Sequence, residues 1–381
     1  MIKLGDVATY INGYAFKPED RGEVGLPIIR IQDLTGNAYD LGFYNGDYPK
    51  RIEINDGDVL ISWSASLGVY VWNRGRALLN QHIFKVEFDK VNIDKSYFVY
   101  AVRQKLAEMA MKTHGATMKH IVKKDFEETL IPYPSQKKQI EIGTNLDKIA
   151  NIIAARKQQL ELLDELVKAR FVEMFGDENN SKNWNIINVE NVADVQVGIV
   201  IKPSQYYTNK GNGVKAFRSL NIGEGFIKDN DWVYFTEEGH NKNSKSIVKE
   251  NDLLIVRSGA PGTACVVTEK YTGYNAIDII IVHPDCEKIN PYYLCYFTNM
   301  QHGKKQINEG TSGAAQQHFN VGKYNKLRLM LPPKELQDEF ADFVHQIDKS
   351  KVNYYYKNRK DGFPPLLLIY SVTTIINLSD Y

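Results

Sequence analysis

The feature that most constrains this chain is an internal repeat. The stretch "VATYINGYAFKP" (residues 7–18) aligns with "VADVQVGIVIKP" (192–203), and "GDVLISWSASLG" (57–68) aligns with "NDLLIVRSGAPG" (251–262). Further along, "IDKSYFVYA" aligns with "INPYYLCYF", and "GATMKHI" aligns with "GAAQQHF". The separation between matched blocks grows in order from 185 to 198 residues, as expected of two copies that differ by loop insertions. The sequence therefore predicts two homologous halves.

Each half is predicted to be a mixed α/β domain. Short β-rich runs such as "DVLISW" and "HIFKVEF" are bounded by glycine and asparagine turns. Each half then closes with a helix, over residues 94 to about 112 and 290 to about 301. Asp94 and Asn290 are predicted N-caps, and Pro291 suits the first helical turn.

A long helix is predicted between the halves, over residues 135–176. Its apolar residues alternate in spacings of four and three, which is typical of a coiled-coil seam. The same register returns after the second half, in a helix over 333–360. The residues expected to pack in this seam are Ile142, Leu146, Ile149, Ile153, Leu160, Leu163, Val167, Phe340, Val344 and Ile347.

The two helices are predicted to pair antiparallel within the chain. Because the halves are repeats, such a pair would give the molecule a pseudo-two-fold axis. A plain interdomain helix and a coiled coil between two chains remain alternatives. A second apolar stripe, through Ile152, Leu162, Leu166 and Phe171, suggests that another surface of the central helix is also buried.

The predicted fold class is α+β, with two repeated α/β domains and a helix pair. The predicted divisions are residues 1–134, 135–176, 177–332, 333–360 and an atypical tail, 361–381.

Several classes of chemistry have no motif in this sequence. It has no G-x-x-x-x-G-K-[ST] phosphate loop, no G-x-G-x-x-G after a strand, and no H-E-x-x-H. Its three cysteines form no C-x-x-C pair, so neither a disulfide framework nor a zinc site is indicated. This cysteine usage fits a reducing cytoplasm, and neither a signal peptide nor an apolar run long enough to span a bilayer is evident. We expect no catalytic residues, no metal and no cofactor in this chain.

The distribution of charge points to nucleic acid. The net charge is only +1, so a binding surface must come from local segregation of charge. Residues 109–124 and 310–334 contain no Asp or Glu, and they fall in the same element of each copy. Lysines there would contact phosphates, although a solvated loop is the alternative. The candidates are Lys112, Lys119, His120, Lys123, His318 and Lys323, with Gln316 and Gln317 as readers of adenine edges.

Other candidate DNA contacts recur between the copies. Arg30 with Gln32 matches Arg218 with Asn221, and a structural salt bridge is the competing explanation for the arginines. Ser64 and Ser258 match as well, but the preceding Trp63 is replaced by Arg257 in the second copy.

Two copies of one frame with different loops would read two different half-sites, whereas a homodimer of one copy would require a palindrome. The central helix would be roughly 50–60 Å long at ~1.5 Å per residue, and the rigid helix pair would act as a ruler between the half-sites.

This layout resembles the specificity subunit of type I restriction–modification systems. The resemblance covers about residues 1–355 and is carried by "KLGDVATYINGYAFKP", "DVLISWSASLG", "NQHIFKV", the helix over 135–176, "LPPKELQDEFADFVHQID" and "GTSGAAQQHF". It implies a non-catalytic subunit that binds a bipartite, asymmetric site in double-stranded DNA. It also implies two copies of a methylation subunit and a restriction subunit as partners, with S-adenosylmethionine, ATP and Mg²⁺ bound by those partners. In that family the helices carry the subunit contacts, so the second apolar stripe is the expected docking face.

The C-terminal tail departs from the family pattern. Gly362, Pro364 and Pro365 end any helix in "KDGFPPLLLIYSV", where the family helix should continue. Two alternative functions stay open: a DNA-modifying enzyme, either nuclease or methyltransferase, with an unrecognised active site, and a structural coiled-coil scaffold.

Overall fold

The computed structural model describes residues 1–36, 41–112, 121–311 and 319–360, without the side chains of 110–112, 310–311 and 352–360. Internal contacts divide it into two compact units, one comprising residues 1–157 and one beginning at Gln158. None of the described helices combines the length and hydropathy needed to cross a bilayer.

The first unit contains two four-stranded sheets, a two-stranded ribbon and several helices. Its strands are Ile2–Lys3, Thr9–Asn12, Leu26–Ile29, Phe43–Tyr44, Glu53–Ile54, Val59–Ser62, Gly68–Val71, Ala77–Leu79, Ile83–Glu87 and Leu130–Ile131. Its α-helices are Leu4–Val7, Ile31–Thr35, Lys95–Lys112 and Lys123–Glu127, followed by the start of the central helix, Gln136–Phe175.

The second unit has the same kinds of element. Its strands are Asn185–Asn188, Ala193–Val197, Tyr207–Thr208, Val214–Phe217, Val233–Phe235, Leu253–Val256, Ala264–Val266, Asn275–Ala276, Ile279–Pro284 and Arg328–Leu331. Its α-helices are Glu237–Lys242, Pro291–Asn299, Gln301–Thr311, Val321–Asn325 and the C-terminal helix, Lys334–Lys360, together with the end of the central helix.

The main sheet has the same order in both units, which confirms the predicted repeat. In the first unit the strand Ile83–Glu87 lies between Thr9–Asn12 and Val59–Ser62, and all neighbours are antiparallel. In the second unit Ile279–Pro284 lies between Ala193–Val197 and Leu253–Val256 in the same way. The internal repeat in the sequence therefore corresponds to a shared sheet topology.

The repeated apolar run in each half is a strand buried on both faces. Val59 and Ile61 pack in the core that contains the helix Lys95–Lys112, whereas Leu60 packs in the core of the small sheet. In the second unit Leu253 and Ile255 face the first of two cores, and Leu254 and Val256 face the other. Successive side chains of a strand point to opposite faces, so a strand covered on both sides must be continuously apolar.

The small sheets of the two units have three strands in common and differ in the fourth. In both units a hairpin strand is flanked by a parallel partner: Leu26–Ile29 beside Ala77–Leu79, and Val214–Phe217 beside Asn275–Ala276. The fourth strand is Glu53–Ile54 at one edge in the first unit, and a different segment at the opposite edge in the second. The copies have therefore diverged at the sheet edge.

Gly13 and Gly198, which match in the repeat, occupy equivalent close approaches. A Cβ atom on Gly13 would collide with the carbonyl oxygen of Asn80, and one on Gly198 with that of Ala276. Only glycine lets the two backbones meet here, which explains its recurrence.

The C-terminal helix packs antiparallel against the end of the central helix within the second unit, as predicted. Its Phe340 ring lies 5.3 Å from the ring of Phe171 and 5.5 Å from that of Phe175, centroid to centroid. Five of the predicted seam residues share this core, fully or in part: Leu163, Val167, Phe340, Val344 and Ile347.

Two ion pairs give the direction and register of this helix pair. Arg170 Nη2 lies 2.8 Å from Glu339 Oε1, and Lys351 Nζ lies 2.6 Å from Asp164 Oδ1. Residue numbers fall along one helix as they rise along the other, so the helices run antiparallel.

The remaining predicted seam residues are not covered uniformly. Leu146 is buried, Ile142 packs against the first core, and Ile149 and Leu160 are half-buried. Ile153 is 42% exposed in the described part of the chain. Its packing partner therefore stays a prediction.

The second apolar stripe is divided between the core and the surface of this chain. Phe171 belongs to the core of the second unit, but Ile152, Leu162 and Leu166 are 61%, 55% and 47% exposed. Leu162 and Leu166 point away from the face that carries Val167 and Phe171, because the helix turns about 100° per residue.

Equivalent glutamines clamp the first turn of both long helices. The buried Gln139 accepts a hydrogen bond from Asp94 N (3.0 Å) and donates one to Pro134 O (2.8 Å). Gln337 makes the same pair of bonds with Asn290 N and Pro332 O, both 2.8 Å.

The predicted N-caps are confirmed. Asp94 Oδ1 accepts from Tyr97 N at 2.8 Å, and Asn290 Oδ1 accepts from Tyr292 N at 2.9 Å, with Pro291 at the first helical position.

Candidate nucleic-acid interface

In the first unit, three segments meet at the residue before the repeated serine. We call this the first junction: the turn of residues 63–66, His82 and Ile121. Trp63 O accepts a hydrogen bond from Ile121 N (3.0 Å), and Trp63 N donates to His82 O (3.2 Å). Ile121 is the first described residue after 113–120, the centre of the acid-free window. The main chain therefore fixes one end of that window beside the turn.

The second unit builds an equivalent second junction from the turn of residues 257–260, Asp278 and Phe319. Phe319 N donates to Arg257 O at 3.1 Å, and Phe319 follows the undescribed residues 312–318 of the other acid-free window. The turn residues after the two serines, Ala65 and Gly259, both have positive φ, of 57° and 87°. Both copies thus use one backbone arrangement.

The side chains at the two junctions are unlike. At the first junction the ring of Trp63 stacks on that of Phe84 (5.6 Å) and meets that of His82 edge-on (4.9 Å). At the second junction Arg257 Nη1 lies 2.5 Å from Asp278 Oδ1, and Arg257 Nε donates to Phe319 O at 3.2 Å. His82 and Asp278 both have positive φ, 72° and 50°. One backbone frame therefore presents an aromatic contact in one half and an ion pair in the other.

The shared serines are half-buried in these turns. Sequence comparison found Ser64, Ser258 and Arg257 but missed His82 and Asp278. Those two lie in a segment whose residues differ between the copies, and the signal for them was their position just before the strands Ile83–Glu87 and Ile279–Pro284.

The predicted arginine pairs are held by neighbouring groups of their own units. Arg30 Nε lies 3.1 Å from Asp33 Oδ2, and both side chains are largely buried, at 14% and 3% exposure. This is the structural ion pair given above as the alternative for the arginine. Gln32, two residues after Arg30, is exposed.

In the second unit, Asn221 is fully buried and ties a loop together. Its Oδ1 accepts from Arg218 N (2.9 Å) and its Nδ2 donates to Asn230 O (2.7 Å). Arg218 Nη2 donates to Asp231 O. Asn221 therefore supports the loop around it.

The lysines of the acid-free windows fall into two groups. Lys123 and Lys323 are exposed on equivalent short helices, and Lys123 Nζ also donates to Tyr10 O at 2.8 Å. Five candidates lie outside the described residues: Lys119, His120, Gln316, Gln317 and His318. Lys112 ends a described helix, but its side chain is not described.

Within the described ranges, no group of His, Cys, Asp and Glu side chains could hold a metal ion. The strongly shifted tyrosine and cysteine pKa values reflect burial in the cores: desolvation raises the pKa of Tyr97 and Tyr292 to about 12.

Comparison with known proteins gives a consistent result. The family model described as "Type I restriction modification DNA specificity domain" matches residues 1–164 and again 177–355. The type I restriction enzyme EcoBI specificity subunit of Escherichia coli is 23% identical, over 91% of this chain and 78% of its own length. The MjaVIII specificity subunit of Methanocaldococcus jannaschii is 24% identical, over 91% of this chain and 85% of its own.

A solved structure shows the same fold. The crystal structure of the S subunit of a type I restriction–modification system from M. genitalium superposes with a TM-score of 0.55 at 15% identity, covering 99% of this chain and 93% of that one.

The predicted resemblance is confirmed, and the alternatives of a DNA-modifying enzyme or a bare scaffold are not favoured. The double family match coincides with the two copies of the sheet topology. This chain belongs to the type I restriction–modification DNA specificity family, the non-catalytic subunits that recognise the DNA sequence.

Proposed function

We propose that this chain reads a bipartite, asymmetric site in double-stranded DNA, with one half-site for each unit. The observation that carries this is the pair of junctions. The same main-chain hydrogen bond, Ile121 N to Trp63 O and Phe319 N to Arg257 O, fixes an acid-free window at the same place in each unit. The side chains around that bond differ, so two equally built frames would contact different bases.

The acid-free windows supply the phosphate contacts in this proposal. Lys123 and Lys323 lie within these windows and are exposed on short helices, where a cation beside DNA releases bound counterions. Base reading falls to the window residues and to the turns that carry Ser64 and Ser258.

The partners in this proposal are a methylation subunit, in two copies, and a restriction subunit. S-adenosylmethionine, ATP and Mg²⁺ would be bound by those partners. The three cysteines form no disulfide, which supports the proposal that the protein functions in the cytoplasm.

The methylation subunit has a candidate docking face on the central helix. Leu162 and Leu166 are 55% and 47% exposed and lie one turn apart. Neighbouring exposed leucines on one helical face are typical of a surface covered by a partner.

The docking face is testable by Leu162→Asp with Leu166→Asp. We expect loss of co-purification with the methylation subunit and an unchanged melting temperature, because both side chains are exposed in this chain. Glu161→Lys, exposed on the same helix, is the matched control and should leave co-purification intact. Retention of the methylation subunit by the double variant would contradict the assignment.

The function itself is tested by sequencing the methylome of the host with this gene present and deleted. We expect a split adenine motif with two unlike halves that is methylated only when the gene is present. If every methylated motif survives deletion, the proposal is wrong.

A further inference from the structure

The residue before the repeated serine joins three segments in each unit, and its side chain is the part that changes. In the second unit that residue is Arg257, 15% exposed at its side chain. Its carbonyl oxygen accepts from Phe319 N, its Nε donates to Phe319 O, and its Nη1 pairs with Asp278. One side chain therefore connects the end of the strand Leu253–Val256 to two loops.

From this geometry we infer that Arg257 is a positioning residue for recognition of the second half-site, and that Trp63 has this role for the first. The inference rests on the proposed function, because it assumes that each acid-free window reads DNA. It adds which residue holds the first described residue after the undescribed part of each window, Ile121 or Phe319, and which half-site depends on it.

The bonds made by Arg257 are suited to fixing a loop. A guanidinium presents several donors in a rigid plane, so two acceptors on different segments are held at a fixed angle. Phe319 is joined to Arg257 in both directions, through its N–H and through its carbonyl oxygen. Loss of the side chain removes the second of these bonds and frees the carboxylate of Asp278.

Asp278 also stands at a constrained position. Its φ of 50° places it in the left-handed region, where asparagine, aspartate and histidine are the most frequent residues other than glycine. The Asp278 main chain is held separately, by a bond from its N–H to Ile199 O at 2.9 Å. Asp278→Asn can therefore remove the charge of the carboxylate without moving the backbone. It is a milder variant than Arg257→Ala.

Trp63 acts through packing instead of charge. Its ring contacts those of Phe84 and His82, and its carbonyl oxygen accepts from Ile121 N. A guanidinium placed there would lack a counterpart of Asp278, because His82 precedes the strand at that position. Trp63 is therefore matched to His82, and Arg257 to Asp278. Exchanging one residue of a pair alone would leave it without its partner.

The test uses the full chain with its methylation subunit and four variants: Arg257→Ala, Arg257→Lys, Asp278→Asn and Trp63→Leu. Binding is measured to the cognate duplex and to duplexes with one mismatch in either half-site. A mismatched base pair typically reduces specific binding by about 10- to 100-fold. We expect Arg257→Ala to reduce that discrimination by about tenfold for the second half-site and to leave it unchanged for the first.

The other variants separate positioning from folding. Arg257→Lys and Asp278→Asn should give intermediate losses at the second half-site, and Trp63→Leu should affect only the first. Lys270→Ala is the matched control, because Lys270 makes a similar ion pair with Asp229 (2.6 Å) away from the junction. It should leave both half-sites unchanged.

The outcomes distinguish the two levels of the proposal. If wild-type chain shows no bipartite preference, the proposed function fails. If wild-type preference is present but Asp278→Asn and Arg257→Lys leave the second half-site unchanged, or weaken both half-sites equally, the positioning role is wrong.

Discussion

At the scale of single residues, one buried glutamine in each unit joins the domain to the first turn of a long helix. Gln139 and Gln337 are 1% and 0% exposed, and each satisfies one main-chain donor and one main-chain acceptor. Sequence inspection overlooked both, because a glutamine in the first turn of a helix usually faces solvent. Their roles depend on the neighbouring domain, which a helical pattern does not reveal.

Gln337→Leu should destabilise the second unit. It leaves Asn290 N and Pro332 O without their buried partner, at about 1–3 kcal/mol for each group. Chemical unfolding of the intact chain should therefore show a loss of about 2 kcal/mol or more. Gln346→Leu, an exposed position on the same helix, is the control. Equal stability of the two variants would contradict the clamp.

We expect His302 to make the stability of the second unit depend on pH. Its ring is 5% exposed and contacts the ring of Phe171 (5.3 Å), and its Nε2 lies 3.1 Å from Gly176 O at the end of the central helix. Burial lowers the pKa of His302 below its usual value. The unfolded chain therefore binds the proton more readily, and this contribution to stability is present above pH ~6.5 and lost as pH falls.

His302→Gln retains a donor for Gly176 O and cannot titrate. We expect the melting temperature of the wild type to fall more than that of the variant between pH 7.5 and pH 5. Parallel pH profiles would show that His302 does not titrate on unfolding.

At the scale of elements, the helix pair combines an apolar seam with ion pairs at its edge. The spacing of apolar residues predicted the seam correctly between Leu163 and Val167 on one helix and Phe340 and Ile347 on the other. The spacing alone did not show whether Leu162 and Leu166, which are exposed in this chain, pack within it or against a partner. A stripe of leucines has the same pattern whether this chain or another protein covers it.

The apolar part of the pair should dominate its stability. Phe340→Ala removes a fully buried ring that contacts Phe171 and Phe175, and should cost about 3–5 kcal/mol. Lys351→Met removes the pairs with Asp164 and Asp348, which are 60% and 43% exposed, and should cost at most about 1 kcal/mol. Urea titration of both variants checks the order, and a larger loss for Lys351→Met would reverse our account.

At the scale of the whole molecule, duplication followed by divergence explains what the sequence revealed. Matched blocks such as "DVLISW" and "DLLIVR" correspond to strands buried on both faces, where few substitutions preserve packing. The sheet-edge strands and the partners of Trp63 and Arg257 changed freely, so sequence matching could not place them. The two family matches and the two sets of sheets describe one duplicated domain.

The claim that each unit reads its own half-site is tested most directly by making the two units identical. Residues 177–332 would be replaced by a second copy of residues 1–134, with both long helices retained, and the methylome of a host carrying this gene would be sequenced. We predict that the asymmetric motif is replaced by an inverted repeat of its first half-site. An unchanged motif, or loss of the first half-site with retention of the second, would contradict the account.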